Sequence, residues 1–186
     1  QQAQFRDYVK GGQEGLNDLA YTRLYHILSD MNDNCIFCKI ISGEAPSYTI
    51  WEDNQHLAFL SIFPNTEGVT VVIPKKHYES YAFNLPDDIL SELILATKKV
   101  AKILDSKLED VGRTAMVFEG YGVNHVHSKL FPMHGTKDMT TWRPIEATVD
   151  TYFDIYPGYI SSHDYKHIDG ESLSKVASKL KNPSNS

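Results

Sequence analysis

The spacing of apolar residues changes along the chain, and each period predicts an element. Over residues 14–30, Leu16, Leu19, Ala20, Leu24, Ile27 and Leu28 recur at helical spacing and predict one amphipathic helix. Residues 31–34 are a polar break. Residues 49–52 and 57–62 read as strands around the turn Asp53-Asn54. Residues 69–73 are all β-branched, which predicts a central strand, and Pro74 stops it. The clearest helical pattern spans residues 85–108. Ile89, Leu90, Leu93, Ile94, Thr97, Val100, Ala101 and Leu104 form its buried stripe. Pro86 fits the first turn, Asp87 and Asp88 suit the positive helix start, and lysines gather toward the end. Residues 114–119 and 123–131 are strands on either side of the turn Gly120-Tyr121-Gly122, and Pro132 closes the second. Beyond Pro144, residues 149–153 and 159–162 are β-like, and Leu173, Val176, Ala177 and Leu180 predict a short last helix.

Because strands are not each followed by a helix, the pattern predicts an α+β fold with a meandering, mainly antiparallel sheet and one long central helix. Residues 1–34 read as a helical extension and 35–144 as the main domain. Residues 145–186 read as a C-terminal α/β extension packed on that domain, disordered at 182–186.

Composition narrows the partners. The chain has 186 residues and a net charge of −6, with acidic and basic residues interspersed. No basic stripe is present to track a phosphate backbone, so a nucleic acid polymer is not an expected partner. No apolar run reaches the roughly 20 residues that span a bilayer, so no membrane is expected either. The two cysteines, Cys35 and Cys38, are too close for a disulfide framework and read as a metal or redox pair in a cytoplasmic protein.

The chemistry concentrates in two places. In the predicted strand 123–131, alternation puts His125, His127 and Lys129 on one face. A core does not select two imidazoles and an ammonium side by side, because unpaired polar groups are costly to bury. Either the face is solvated or it has a use. Cys35 and Cys38 offer two thiolates at a spacing that clamps a tetrahedral ion, although a buried or redox pair shows the same spacing. A closed site needs two more ligands. Histidines are the natural source, and spacing alone does not choose among the eight present.

Three blocks settle on a family. The segment Cys35-Ile36-Phe37-Cys38-Lys39-Ile40-Ile41 with Gly43 and Pro46, the segment Val71-Val72-Ile73-Pro74-Lys75-Lys76-His77, and His125-Val126-His127 resemble, in this order, the blocks of zinc-bearing histidine triad (HIT) proteins. The resemblance runs from about Cys35 to Gly135. It implies that His127 attacks the α-phosphorus of a nucleotide ester or anhydride and forms a nucleotidyl-imidazole intermediate. It also implies a structural Zn2+ held by Cys35, Cys38, His77 and His125, and a homodimer of the kind many such proteins form.

The sequence departs from the family pattern where substrate would bind. The third histidine of the triad is Lys129, a cation that can serve developing oxyanions. An acidic residue that contacts ribose in the family is Ser61. A phosphate-side histidine is Val69, an asparagine is Phe118, and the loop from Glu119 to Asn124 is short. Catalysis is therefore expected from His127 and Lys129, and substrate binding from Ser61, Ile62, Phe63, Tyr121 and Asn124. The expected function is hydrolysis or transfer of a nucleotidyl group from a phosphoramidate or phosphoanhydride, dinucleoside polyphosphates included. A domain that binds nucleotide or a partner without turnover, and a zinc-stabilised interaction domain, are the competing readings. His26, His56, His134, His163 and His167 are expected to have no part in the chemistry.

Overall fold

The computed structural model describes residues 35–138 and 169–181, all within one compact unit, Asp33–Ser186. The predicted helix at 14–30, the strands at 149–153 and 159–162, and the tail at 182–186 lie outside the described residues. The elements run α1 (Ile36–Ser42), β1 (Thr49–Glu52), β2 (His56–Leu60), β3 (Thr70–Pro74), α2 (Asp87–Lys107), β4 (Thr114–Val117), β5 (Ser128–Pro132) and α3 (Gly170–Lys181). The five strands form one antiparallel sheet in the order β1-β2-β3-β5-β4. The fold is α+β, as the order of periods predicted.

The two faces of the sheet differ. Ala58 and Leu60 of β2, Val72 of β3 and Leu130 of β5 belong to one buried cluster with Leu93, Ala96, Val100 and Leu104 of α2. Leu173, Ala177 and Leu180 of α3 complete it, and α3 packs on both β1 and α2. Alternation sends Leu57, Phe59, Val71, Ile73, Lys129 and Phe131 to the opposite face. There Phe59 pairs across strands with Val71, and Val71 with Lys129. β2 and β3 are buried along their whole length, so both faces of the sheet centre are covered.

The long helix matches its predicted stripe at Leu93, Thr97, Val100 and Leu104, while Ile89, Leu90 and Ala101 are half-buried. Leu93, Ala96, Thr97, Val100 and Leu104 are buried, whereas Ile94 is 38% exposed. Ala96 takes the place expected of Ile94 because the contact with the sheet is narrower than the apolar run. A buried hydroxyl pair joins the helix to the sheet. Thr97 Oγ1 donates to the Leu93 carbonyl at 2.7 Å, so the Ser128 hydroxyl donates to Thr97 Oγ1, also at 2.7 Å. Neither buried oxygen is left unpaired.

Two local findings differ from the sequence reading. Residues 36–42 form a helix that the apolar pattern did not announce. The strand predicted at 123–131 begins only at Ser128. Residues 123–127 run as irregular backbone, with the Val126 N–H donating to the Tyr78 carbonyl at 2.9 Å and the His125 N–H to the Val123 carbonyl at 2.8 Å. These bonds take the backbone groups that a strand ladder would have used.

A polar clamp ties the chain leaving β5 to the loop after α2. His134 Nδ1 lies 2.8 Å from the Asp110 carboxylate, its Nε2 lies 3.0 Å from the Glu67 carbonyl, and the Gly135 N–H donates to Asp110 at 3.1 Å. Both ring nitrogens face acceptors, so the imidazolium is the form that satisfies them. Partial burial pulls the His134 pKa down, but the Glu67 carbonyl and the Asp110 carboxylate outweigh it and hold the pKa above its ordinary value. The hydrogen bond from His134 is the main reason that the Asp110 carboxyl is held below the usual carboxylate range.

Two outcomes follow for stability. Leu93→Ala, at a fully buried position, is expected to cost ~2–5 kcal/mol in urea unfolding, while Ile94→Ala costs under ~1 kcal/mol. A raised histidine pKa contributes stability that is complete below the unfolded pKa and is lost as pH rises through the folded one. The melting temperature of wild type should therefore exceed that of His134→Gln at about pH 5 to 6, and the gap should close by about pH 8. A gap independent of pH over that range would show that the clamp is not charged.

Candidate metal centre and active site

The helix α1 explains why the cysteines stand two residues apart. Cys35 is its N-cap and Cys38 lies in its first turn, so the three-residue offset puts both sulfurs on one side. Gly43 ends the helix in a left-handed conformation, φ 80°, with its N–H donating to the Ile40 carbonyl. Both cysteines are buried and free of disulfides.

The structure brings Cys35, Cys38, His77 and His125 together, with donor atoms within 4.8 Å of one another. Cys38 Sγ lies 3.3 Å from His77 Nδ1 and 3.7 Å from His125 Nδ1, and Cys35 Sγ lies 3.6 Å from His125 Nδ1. Bond lengths of ~2.3 Å to sulfur and ~2.0 Å to nitrogen give a tetrahedron whose S···N edges are about 3.5 Å. The observed separations match those edges. His125 Nε2 donates to the Pro74 carbonyl at 2.9 Å, which leaves Nδ1 with its lone pair toward the sulfurs. Burial, helped by the neighbouring imidazoles and opposed by the Pro74 carbonyl, pushes the His125 pKa down to about 4. The ring is thus neutral near pH 7, as a ligand must be. Four protein donors of this softness and geometry fit a divalent ion of the zinc class and leave no open position.

His127 stands beside this cluster. It is 3% exposed, and its Nδ1 donates to the His125 carbonyl at 2.8 Å. A carbonyl can only accept, so the proton is on Nδ1 and the lone pair on Nε2. The ring of Phe37, carried on α1 between the two cysteines, packs edge-on against His127 at 5.4 Å and against Phe59 at 5.4 Å. Burial lowers the His127 pKa most; the His125 carbonyl opposes it, and Lys129 and Glu119 act in opposite senses. The result is a buried, neutral, oriented imidazole.

Lys129 sits in β5 between Val71 of β3 and Val117 of β4. Its Nζ lies 3.1 Å from Glu119 Oε2, and the Glu119 side chain is only 5% exposed. The sequence reading missed Glu119. The signal was present: Val117 and Glu119 keep a period of two beyond β4, which leads toward the face that holds Lys129.

The predicted substrate residues are spread more widely. Tyr121 is 63% exposed, Phe63 45% and Ile62 42%. Asn124 is exposed and its Oδ1 accepts the Ser80 N–H at 3.0 Å, so its side chain fastens two loops together. Ser61 Oγ accepts the Phe63 N–H at 3.2 Å. Ser61 also lines a cavity of about 290 Å3 with Leu60, Pro64, Gly68, Leu173 and Val176, which joins the loop after β2 to the C-terminal helix. Val69, where the family pattern has a histidine, is buried. His56 is buried too, bonded to Asp53 at 3.2 Å away from the chemistry, and His134 serves the clamp.

The model of the HIT domain matches residues 42–136, just over half of the chain. The chain belongs to the histidine triad (HIT) family. A HIT-like protein of Methanocaldococcus jannaschii is 42% identical over 107 residues, covering 54% of this chain and 79% of its own length. The adenosine 5'-monophosphoramidase of Candida albicans is 38% identical over 128 residues, 62% of this chain and 81% of that enzyme. Among solved structures, a hypothetical histidine triad nucleotide-binding protein of Sulfolobus tokodaii shares the fold with a TM-score of 0.58 at 24% identity, over 79% of this chain and 89% of its own. A Zn-bound histidine triad family protein of Mycobacterium smegmatis does so with a TM-score of 0.57 at 20% identity, over 80% and 91%. The four-donor cluster of this HIT protein fits the zinc-bearing branch. Among the described residues, no helix is long and apolar enough to cross a membrane.

Proposed function

We propose that this HIT protein is a nucleotidyl hydrolase that cleaves a phosphoramidate or phosphoanhydride bond at the α-phosphorus through a nucleotidyl-His127 intermediate. One observation carries the reading. His127 is buried and neutral, and the His125 carbonyl fixes its tautomer so that Nε2 is the nucleophilic atom. The resemblance to phosphoramidases of Candida albicans and Saccharomyces cerevisiae supports the substrate class.

In the first step Nε2 attacks the α-phosphorus, and the bond from phosphorus to the leaving nitrogen or oxygen breaks. The electron pair departs with the leaving group, which takes up a proton. In the second step water attacks the same phosphorus, the P–Nε2 bond breaks, and its pair returns to Nε2 while the water proton goes to solvent. Splitting one displacement into two lowers each barrier. Lys129 supplies positive charge to the phosphoryl oxygens. Ser61, Ile62, Phe63, Tyr121 and Asn124 are assigned to the substrate.

In this reading Cys35, Cys38, His77 and His125 hold a structural Zn2+, which supplies no bond to substrate and locks the segment that carries His127. A reduced thiol pair suits a reducing compartment, and in this reading the enzyme is cytoplasmic. A homodimer belongs to the same proposal: Ile94 and Leu95 on α2 and Met116 on the edge strand β4 are exposed apolar side chains.

Single-turnover hydrolysis of an adenosine phosphoramidate tests the mechanism. Wild type should release a burst of AMP through a trappable adduct on His127, and His127→Ala should lower the rate on the order of 10³-fold or more. Binding of AMP with no turnover of this substrate or of dinucleoside polyphosphates would replace the hydrolase with a binding domain. The metal is tested separately. Chelation should lower the melting temperature by roughly 10 °C or more, and Cys38→Ala should reproduce that drop and abolish the effect of chelator. A melt indifferent to chelator would remove the structural ion from the reading.

A further inference from the structure

Glu119 is a buried carboxylate outside the roles assigned above, and burying a charge is costly unless something compensates it. The Lys129 ammonium, 3.1 Å away, offsets that cost as a direct ion pair. That ammonium in turn is flanked across the sheet by Val71 and Val117, which have no polar atoms to offer it. Glu119 and Lys129 are therefore placed for each other, on the face of the sheet that carries Phe59 and faces the nucleophile's side.

The charge sum is the informative quantity. A lysine where the triad pattern has an imidazole adds one positive charge close to His127. Glu119 subtracts it. An unmatched ammonium at that place would hold an anionic phosphoryl product tightly and slow its release, because affinity for product that exceeds affinity for the transition state does not help turnover. A pair that shares its proton-bearing nitrogen between a carboxylate and the phosphoryl oxygens avoids this.

We infer that Glu119 is a positioning residue, and that the Glu119–Lys129 pair works as one neutral phosphoryl-binding unit in place of the third histidine. The inference rests on the proposed function for the identity of its ligand. It predicts that the two side chains are coupled and that the sign of the Glu119 effect depends on what occupies position 129.

The test compares wild type, Glu119→Gln, Lys129→His and the double variant, all as full chains. The readouts are AMP affinity by calorimetry, kcat and KM on adenosine phosphoramidate, and the melting temperature. Glu119→Gln should bind AMP on the order of tenfold more tightly at low salt, with the gain shrinking as salt rises, and should lower kcat by a similar factor. Lys129→His alone takes the ammonium away from Glu119 and should lower kcat/KM. Adding Glu119→Gln to that variant should raise kcat/KM again, whereas beside lysine the same change lowers kcat and leaves kcat/KM near its wild-type value. The inference is overturned if Glu119→Gln changes neither AMP affinity nor kcat, or if it lowers kcat/KM by the same factor in both backgrounds. A loss confined to the melting temperature also overturns it, since a structural carboxylate alone would give that. If Glu119→Gln does not fold, Glu119→Asp serves: it keeps the charge, so AMP affinity should stay near wild type while kcat falls, and unchanged kcat overturns the inference. Failure of the hydrolase reading is distinct. A wild type that turns nothing over but binds AMP more weakly than Glu119→Gln retains the pair and loses the hydrolase; a wild type with full turnover and an inert Glu119→Gln does the opposite.

Discussion

The hydrogen bond from His127 Nδ1 to the carbonyl of His125 is the interaction on which the site depends. It joins two groups with opposite needs. The His125 side chain belongs to the four-donor cluster, which demands a neutral ring with its Nδ1 lone pair toward sulfur. Its backbone oxygen serves the His127 ring, which needs an acceptor at one fixed place. The Pro74 carbonyl fixes the first, and the position of the main chain then fixes the second. A strand could not supply both, because its carbonyls are committed to the ladder. The irregular run from residue 123 to 127 is the backbone form that frees this carbonyl, and the N–H groups of Val126 and His125 donate to the Tyr78 and Val123 carbonyls.

The sheet separates stability from chemistry. Its face toward α2 is apolar apart from the matched hydroxyls of Ser128 and Thr97, and it gathers most of the buried core. The other face tolerates an ammonium, a carboxylate and an imidazole because each has a partner within hydrogen-bond reach. Phe37 shows how the two are joined. It sits between the two cysteines in sequence, so whatever holds their sulfurs also presses its ring against His127 and Phe59.

Much of this was legible before any coordinates. Pro74 and Pro132 end strands, the run of β-branched residues ahead of Pro74 admits nothing but a buried strand, and the α2 stripe is long enough to outweigh noise. Helix α1 was not legible, because seven residues give too few turns to establish a period, and its packing comes from the two cysteines and Phe37 rather than from an amphipathic face. The histidine segment misled for the reason that makes it useful. An alternation of polar and apolar residues is also what a buried loop shows when each polar group has a tertiary partner. The four metal-site donors were readable only through resemblance, since spacing could not choose His77 and His125 from eight histidines. The residues expected to bind substrate stay the least legible part: Ile62, Phe63 and Tyr121 are exposed, and side chains of α3 line the cavity beside Ser61.

The replacement of a triad histidine by lysine reads in isolation as decay of an active site. The neighbourhood of that lysine argues otherwise. Decay relaxes constraints on neighbours, and an ammonium left without function on a covered face would be expected to reach solvent along its flexible stem. Lys129, with 22% of its side chain exposed, is turned to a carboxylate whose own side chain is only 5% exposed. The two opposite influences on His127, lowering from Lys129 and raising from Glu119, leave its ring governed by burial and by its carbonyl partner. A substitution matched by its own counter-charge preserves the net charge that a neutral imidazole would have given at that place.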